Sequence, residues 1–237
     1  MKTNVEIAKL ANMLKVKPET LIGLEDMQRY PENKLIILAT RNGLIKKTEK
    51  TAFENVRRSG LFAITLKKDD SLSWAAFTTG NDLVMLATNQ GQGIVFSEKD
   101  VRPMGRVAAG VKGIGLRKDD FVVGMEVITR DGGRESNVEY MLTVMHNGFG
   151  KKTKISQFRK QHRGGRGIKI AKINAKTGGI VSLFSLVPQQ EELIAISEKG
   201  QVIRTNLSQV PILGRATQGV RIMRLEEHDK VASSLVL

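Results

Sequence analysis

Four stretches of this 237-residue chain share one order of apolar and polar positions. KLIILATRNGLIKKT begins at Lys34, DLVMLATNQGQGIVFS at Asp82, YMLTVMHNGFGKKT at Tyr140 and ELIAISEKGQVIRT at Glu192. Each is an apolar run, a polar turn ending in glycine (Gly43, Gly91, Gly148, Gly200) and a second short run. Polar-glycine turns between such runs predict β-hairpins. Each hairpin is followed by another glycine and a strand-like run: Gly60 (GLFAITL), Gly113 (GIGL), Gly167 (GIKIAKI) and Gly219 (GVRIMRL). These glycines are 53, 54 and 52 residues apart. A polar turn then leads into a last apolar strand, in KKDDSLSWAAF, RKDDFVVGMEV, KTGGIVSLFSL and EEHDKVASSLV. A period near 53 with about four strands per unit predicts an all-β wheel of propeller-like blades. The repeats run over about 34–80, 81–138, 139–190 and 191–237.

Residues 1–33 allow two readings. Ile7, Leu10, Ala11 and Leu14 keep an amphipathic helical spacing. Yet VEIAKL resembles IKIAKI of the third unit, and KPETLIGL falls where KDDFVVGM falls in the second. The segment is read as the tail of a truncated preceding blade, with the helix as the alternative. On that reading the chain starts inside a repeat and belongs to a longer protein. No Gly/Ser linker separates the units, so 34–237 is one wheel with interlocked blades.

Composition narrows the partner. Lys and Arg number 38 against 24 Asp and Glu, a formal net charge of +14. So basic a folded chain points to a polyanion. The absence of cysteine excludes disulfides and thiolate-bound metals and fits a reducing cytoplasm. No apolar run approaches a membrane span and no signal peptide is recognisable, so no membrane partner is expected. With aromatics at 5%, stacking platforms for unpaired bases are scarce, which favours a duplex backbone over single strands.

Enzymatic readings find little support. Asp69-Asp70 and Asp119-Asp120 would suit a glycosidase, but both fall in the same turn of successive repeats. GFGKKT (148–153) lacks the upstream glycine of a nucleotide-binding loop and lies in a predicted hairpin. His146, His162 and His228 show no ligand spacing. No serine or threonine has a nucleophile context.

The basic residues, by contrast, recur with the repeat. Lys46, Lys47, Lys151, Lys152 and Arg204 follow the hairpin glycines. Arg57, Arg58, Arg106, Lys112, Arg163, Arg166 and Arg215 precede or flank the second set. On a wheel, equivalent loops occupy equivalent places, so these cations predict a curved basic rim. QHRGGRG (161–167) sits at its third turn. There glycines allow close phosphate approach and supply N–H donors, while arginines offer forked contacts. Nothing in the loop suits reading base edges, which predicts weak sequence preference and steep salt dependence.

ATRNGLIKKT, VRPMGRVAAGVKGIGLRKDDFVVGMEV and LGRATQGVRIMRLEEHDKVASSLVL resemble the C-terminal domain of the bacterial DNA gyrase A protein. The related protein of topoisomerase IV, which selects substrate DNA, is the nearest alternative. The resemblance runs from about residue 4 to Leu237. It implies a β-pinwheel of four-stranded blades that exchange strands with their neighbours. It also implies a basic rim that wraps duplex DNA and supports ATP-dependent supercoiling by the holoenzyme. The family's Q-R-R-G-G-K-G box is matched at Gln161, Arg163, Gly164, Gly165 and Gly167, with His162 and Arg166 at two basic positions. The family's domain has six blades and carries its box in the first. Four units and a tail are visible here, so the loop in the third resembles a later blade's version. The resemblance further implies no catalytic residue and no cofactor in this chain. ATP and Mg act elsewhere; the implied partners are the breakage-reunion domain of the gyrase A protein and the ATPase B protein. A propeller that binds a protein partner, its charge serving only solubility, is the reading from another class.

Overall fold

The computed structural model describes residues 35–53, 62–129 and 137–237. The segment read as the tail of a preceding blade lies outside them. The described chain is all-β. The first repeat supplies β1 (Leu35–Thr40), β2 (Leu44–Glu49) and β3 (Leu72–Thr78). The second supplies β4 (Leu83–Thr88), β5 (Gln92–Ser97), β6 (Val111–Lys112) and β7 (Val122–Ile128). The third supplies β8 (Tyr140–Met145), β9 (Phe149–Lys154), β10 (Ile168–Lys169) and β11 (Ile180–Leu186). The fourth supplies β12 (Glu192–Ser197), β13 (Val202–Asn206), β14 (Val220–Arg221) and β15 (Val231–Val236). Among the described residues no helix is long and apolar enough to cross a membrane.

The hairpins form where the polar-glycine turns stand, because each turn needs a residue at positive φ. Gly43, Gly91, Gly148 and Gly200 have φ of 81°, 81°, 74° and 87°. The second residue of each acidic pair is more than a solvated turn residue. Asp70 and Asp120 accept the N–H of Asn42 at 2.9 Å and of Gln90 at 3.0 Å, and Asp229 does the same for Lys199 at 3.1 Å. These carboxylates hold the hairpin tip of their own repeat, so their recurrence is structural.

Blades are completed across repeats. The strand orders are β3-β1-β2-β6, β10-β5-β4-β7 and β11-β8-β9-β14, so the outermost strand of each of these sheets comes from the following repeat. The fourth sheet, β13-β12-β15, has three strands among the described residues. Exchange also corrects the register of the second glycine set. Gly110, rather than Gly113, matches Gly167 and Gly219. All three have positive φ and immediately precede an exchanged strand. A Cβ would stand 2.6 Å from the Ile45 carbonyl at Gly110 and 2.6 Å from the Gly150 carbonyl at Gly219. The crossing chains meet there so closely that only glycine fits. The sequence is ambiguous at this point because VAAGVKGIGL places three glycines within one strand's length.

Three of the cores lie between blades. Ile37, Ile45, Val84, Leu86, Ile94 and Phe96 join repeats 1 and 2, while Met85, Val95, Met141, Phe149, Ile170 and Leu183 join 2 and 3. Leu142, Val144, Leu193, Val210 and Met223 join 3 and 4. A further cluster, Ile36, Leu38, Phe53, Ala63, Ile64, Leu72 and Ala75, packs within repeat 1 itself.

One carboxylate stands at a junction between blades. Glu126 on β7 accepts the Ser185 hydroxyl of β11 at 2.5 Å. Burial raises its carboxyl to about 7, against a smaller downward pull from Ser185. A carboxyl raised on folding adds stability below its unfolded value of 4.5 and loses it as pH rises through about 7. Glu126→Gln is expected to match the parent at pH 5 and to gain about 1–2 kcal/mol at pH 8. Thermal unfolding at the two pH values checks this, and equal shifts at both would refute it.

Candidate nucleic-acid interface

The exchanged strands carry long lead-in segments onto the outer edge of the preceding blade. Residues 102–112, 159–169 and 211–221 are equivalent. Isolated parallel bridges seat each against the blade beneath, at Lys47↔Pro103, Val95↔Lys160 and Lys152↔Ile212. None of the three segments contains an aspartate or glutamate. Arg102, Lys112, Arg159, Lys160, Arg166, Lys169 and Arg221 are exposed on them.

Successive segments also dock on one another. The Gly164 N–H donates to Gly113 O at 2.6 Å, and the Gly115 N–H to Gly165 O at 2.7 Å. The Lys172 N–H donates to Thr217 O at 3.0 Å. Arg163 donates to Lys112 O at 3.2 Å, and Arg215 makes the same bond one repeat on, to Lys169 O. The three segments thus form one continuous ridge without carboxylates.

The sequence-predicted cations divide sharply on this frame. Arg166 and Lys112 are exposed, and neither side chain has a partner among the described residues. His162 is exposed, with Nδ1 3.8 Å from Asp100. Arg106, Arg163 and Arg215 are half-buried at one equivalent position. Arg163 also donates through Nε to Asp100 O at 2.7 Å, so part of its fork is turned inward. Gln161 is half-buried, and its N–H donates to Val95 O at 2.7 Å. Arg57 and Arg58 lie outside the described residues.

Lys46, Lys47 and Lys151 are not rim cations. They are 0%, 4% and 0% exposed. The segment exchanged from the next repeat covers the outer edge of β2 and β9, which the hairpin sequence alone leaves open. Lys47 reaches Glu98 O at 2.8 Å and the Glu98 carboxylate at 3.3 Å. Lys152 is half-buried, donates to Leu207 O at 2.7 Å and stands over the Tyr140 ring, and burial lowers its pKa. Arg204 is exposed but paired with Glu192 at 2.5 Å, which raises its pKa.

The glycines of QHRGGRG also act differently from the expected phosphate cradle. Gly164 at φ 83° gives its N–H to Gly113, and Gly167 at φ 71° packs against the Gly93 carbonyl. Their work is to let loops and blades dock closely, leaving the exposed side chains to meet a ligand.

Sequence reasoning missed five of the seven exposed cations on these segments: Arg102, Arg159, Lys160, Lys169 and Arg221. Lys169 and Arg221, with Lys112, hold the second position of each exchanged strand. The signal was present as Gly-Val-Lys, Gly-Ile-Lys and Gly-Val-Arg at 110–112, 167–169 and 219–221. It is visible only once the glycine register is right.

A ridge of exposed Lys and Arg without counter-carboxylates has the chemistry to meet regularly spaced anions, such as the phosphates of a nucleic-acid backbone. Among the described residues no three His, Asp or Glu are placed to hold a metal ion.

Comparison with known proteins agrees with this architecture. The family pattern described as "DNA gyrase C-terminal domain, beta-propeller" matches residues 34–79, 82–129, 139–186 and 191–237. The DNA gyrase A protein of Staphylococcus epidermidis (strain ATCC 12228 / FDA PCI 1200) is 37% identical over 214 residues, covering 90% of this chain and 23% of that protein. The DNA gyrase A protein of Ureaplasma parvum serovar 3 is 38% identical over 217 residues, covering 92% and 25%. The chain thus spans about a quarter of these relatives. The crystal structure of the C-terminal domain of DNA topoisomerase IV superposes with a TM-score of 0.79 at 28% identity, over 86% of this chain and 62% of that one. The DNA gyrase A C-terminal domain superposes at 0.74 with 24% identity, over 85% and 65%, a likeness of fold alone.

Proposed function

Since the chain belongs to the DNA gyrase C-terminal domain family, we propose that it binds duplex DNA along its outer ridge and bends the duplex around the blades, within the gyrase A protein of a type IIA topoisomerase. The observation that carries this reading is the run of three equivalent, mutually docked segments with exposed cations and no carboxylate. The mechanism is electrostatic. Arg102, Lys112, Arg159, Lys160, Arg166, Lys169 and Arg221 neutralise phosphates in turn. Bending 20–30 bp costs about 1–6 kcal/mol, so contacts on several repeats must act together. Base edges are not read, and sequence preference is weak. In the holoenzyme the breakage-reunion domain and the ATPase B protein supply cleavage, ATP and Mg.

A topological assay tests the proposal. A nicked circle is ligated in the presence of the chain and its linking number is read. A shift that scales with bound protein is expected. Lys169→Ala with Arg221→Ala should weaken binding about tenfold and flatten the salt slope by about 2. Binding with no linking shift would confine the function to attachment, and no duplex binding would overturn the reading.

Topoisomerase IV remains the second reading within the family, favoured by the 0.79 superposition on its C-terminal domain. A protein-binding role has one observation behind it. Exposed Val202, Ile212, Val220, Leu235 and Leu237 all fall on repeat 4.

A further inference from the structure

We propose that Lys46 and Lys151 are positioning residues for the ridge: each holds, from inside its blade, the main chain of the arginine loop laid over it by another repeat, and so sets where Arg106 and Arg215 stand. This rests on the duplex-binding reading above. Lys46 donates to Ala63 O at 2.6 Å and to Arg106 O. Lys151 donates to Gly214 O at 2.8 Å, Arg215 O at 2.6 Å and Thr217 Oγ1 at 3.3 Å. In both cases the carbonyl of the rim arginine itself is drawn inward onto the ammonium.

The fold does not require a charge at this place. The equivalent residues are Ile94 on β5 and Ile203 on β13, so an apolar side chain is accommodated there. A buried ammonium is costly unless something uses it. The loop above Ile94 is the one held instead by the Gly164 and Gly165 clips and by Arg163 Nε on Asp100 O. The loops at 104–108 and 213–217 have no paired glycines, and those loops sit on a lysine. Two solutions to one problem, fixing an arginine against a duplex, alternate around the blades.

The charged group facing Lys46 is Arg106, and the one facing Lys151 is Arg215. The other facing groups are the carbonyls and hydroxyl just named, and no carboxylate lies within ion-pair distance among the described residues. Burial first, and the facing arginine second, lower both ammonium groups to about 8. Phosphates on the ridge act the other way and favour the protonated form. Duplex affinity should therefore fall as pH rises through about 8.

The test uses the full chain with Lys151→Met and, independently, Lys46→Met. Isoleucine at the equivalent sites indicates that methionine is tolerated. Lys151→Met should lower duplex affinity about tenfold and the salt slope by about 1. It should also leave a further Arg215→Ala nearly silent, blunt the fall in affinity above pH 8 and speed amide exchange at 214–217. Lys46→Met should do the same with Arg106 and 104–108. Wild-type affinity in both variants, or full additivity with the arginine substitutions, would overturn the proposal. If the parent chain does not bind duplex at all, the functional reading fails. The positioning claim is then decided by amide exchange alone, unchanged loop exchange refuting it.

Discussion

Raising salt from 50 to 200 mM should weaken duplex binding by about a thousandfold. Seven exposed cations stand on the carboxylate-free segments, and neutralising six phosphates gives a slope of log affinity against log salt of about −5. Arg163 adds little to the count, because both its Nε and its Nη1 are already on carbonyls. The measurement is a fluorescence titration of a 30–40 bp duplex at four or five salt concentrations. A second duplex of unrelated sequence should give the same slope and an affinity within a few-fold. A slope shallower than about −2, or strong dependence on sequence, would mean that another surface carries the binding. The buried lysines sharpen the prediction. Had Lys46, Lys47 and Lys151 stood on the rim, the slope would be steeper by about 3.

Glu98→Ala should cost about 3–5 kcal/mol and lower the melting temperature by about 10 °C. Glu98 is 0% exposed. Its carboxylate accepts Thr78 Oγ1 at 2.6 Å, Gly80 N at 2.8 Å, Asp82 N at 2.7 Å and Lys47 Nζ at 3.3 Å. Truncation leaves a buried ammonium without its counter-charge and takes an acceptor from two backbone donors, each loss costly in a dry site. Ile155 and Leu207 occupy the equivalent place in repeats 3 and 4, where the residues facing them are Val95 and the half-buried Lys152. The site thus tolerates an apolar residue when no fully buried lysine faces it. The double variant Lys47→Met/Glu98→Leu should therefore recover the part of the loss due to the unpaired ammonium, while the Gly80 and Asp82 N–H groups stay without their acceptor. Thermal and urea unfolding measure both. A cost below 1 kcal/mol for Glu98→Ala would show that the junction between repeats 1 and 2 does not depend on this pair.

Glu98 illustrates the limit of reading the chain alone. FSEKD looks like a hydrophilic turn, and its position after an apolar run suggests a solvated one. Nothing local marks Glu98 as buried, because its partners Lys47, Thr78 and Asp82 come from a different repeat or a different turn. The same holds for Lys46 and Lys151. A lysine at the outer edge of a hairpin is normally solvated, and here the segment exchanged from the next repeat covers it, joined at Lys46 by Ala63 O of its own repeat.

The sequence by itself determined the strands, the hairpin turns, the fourfold recurrence, the basic rim as a class of surface and the family. These follow from apolar periodicity and from glycines required at positive φ, both encoded within about fifteen residues. The place of QHRGGRG on an outer loop was also legible, because its glycines and arginines recur in register. The tertiary structure alone decided which cations face outward, what the loop's glycines do and where the second glycine register runs. Each of these depends on chain from the next repeat, about 50 residues away, laid on a blade edge. A local pattern records what a residue needs, but not which distant segment covers it.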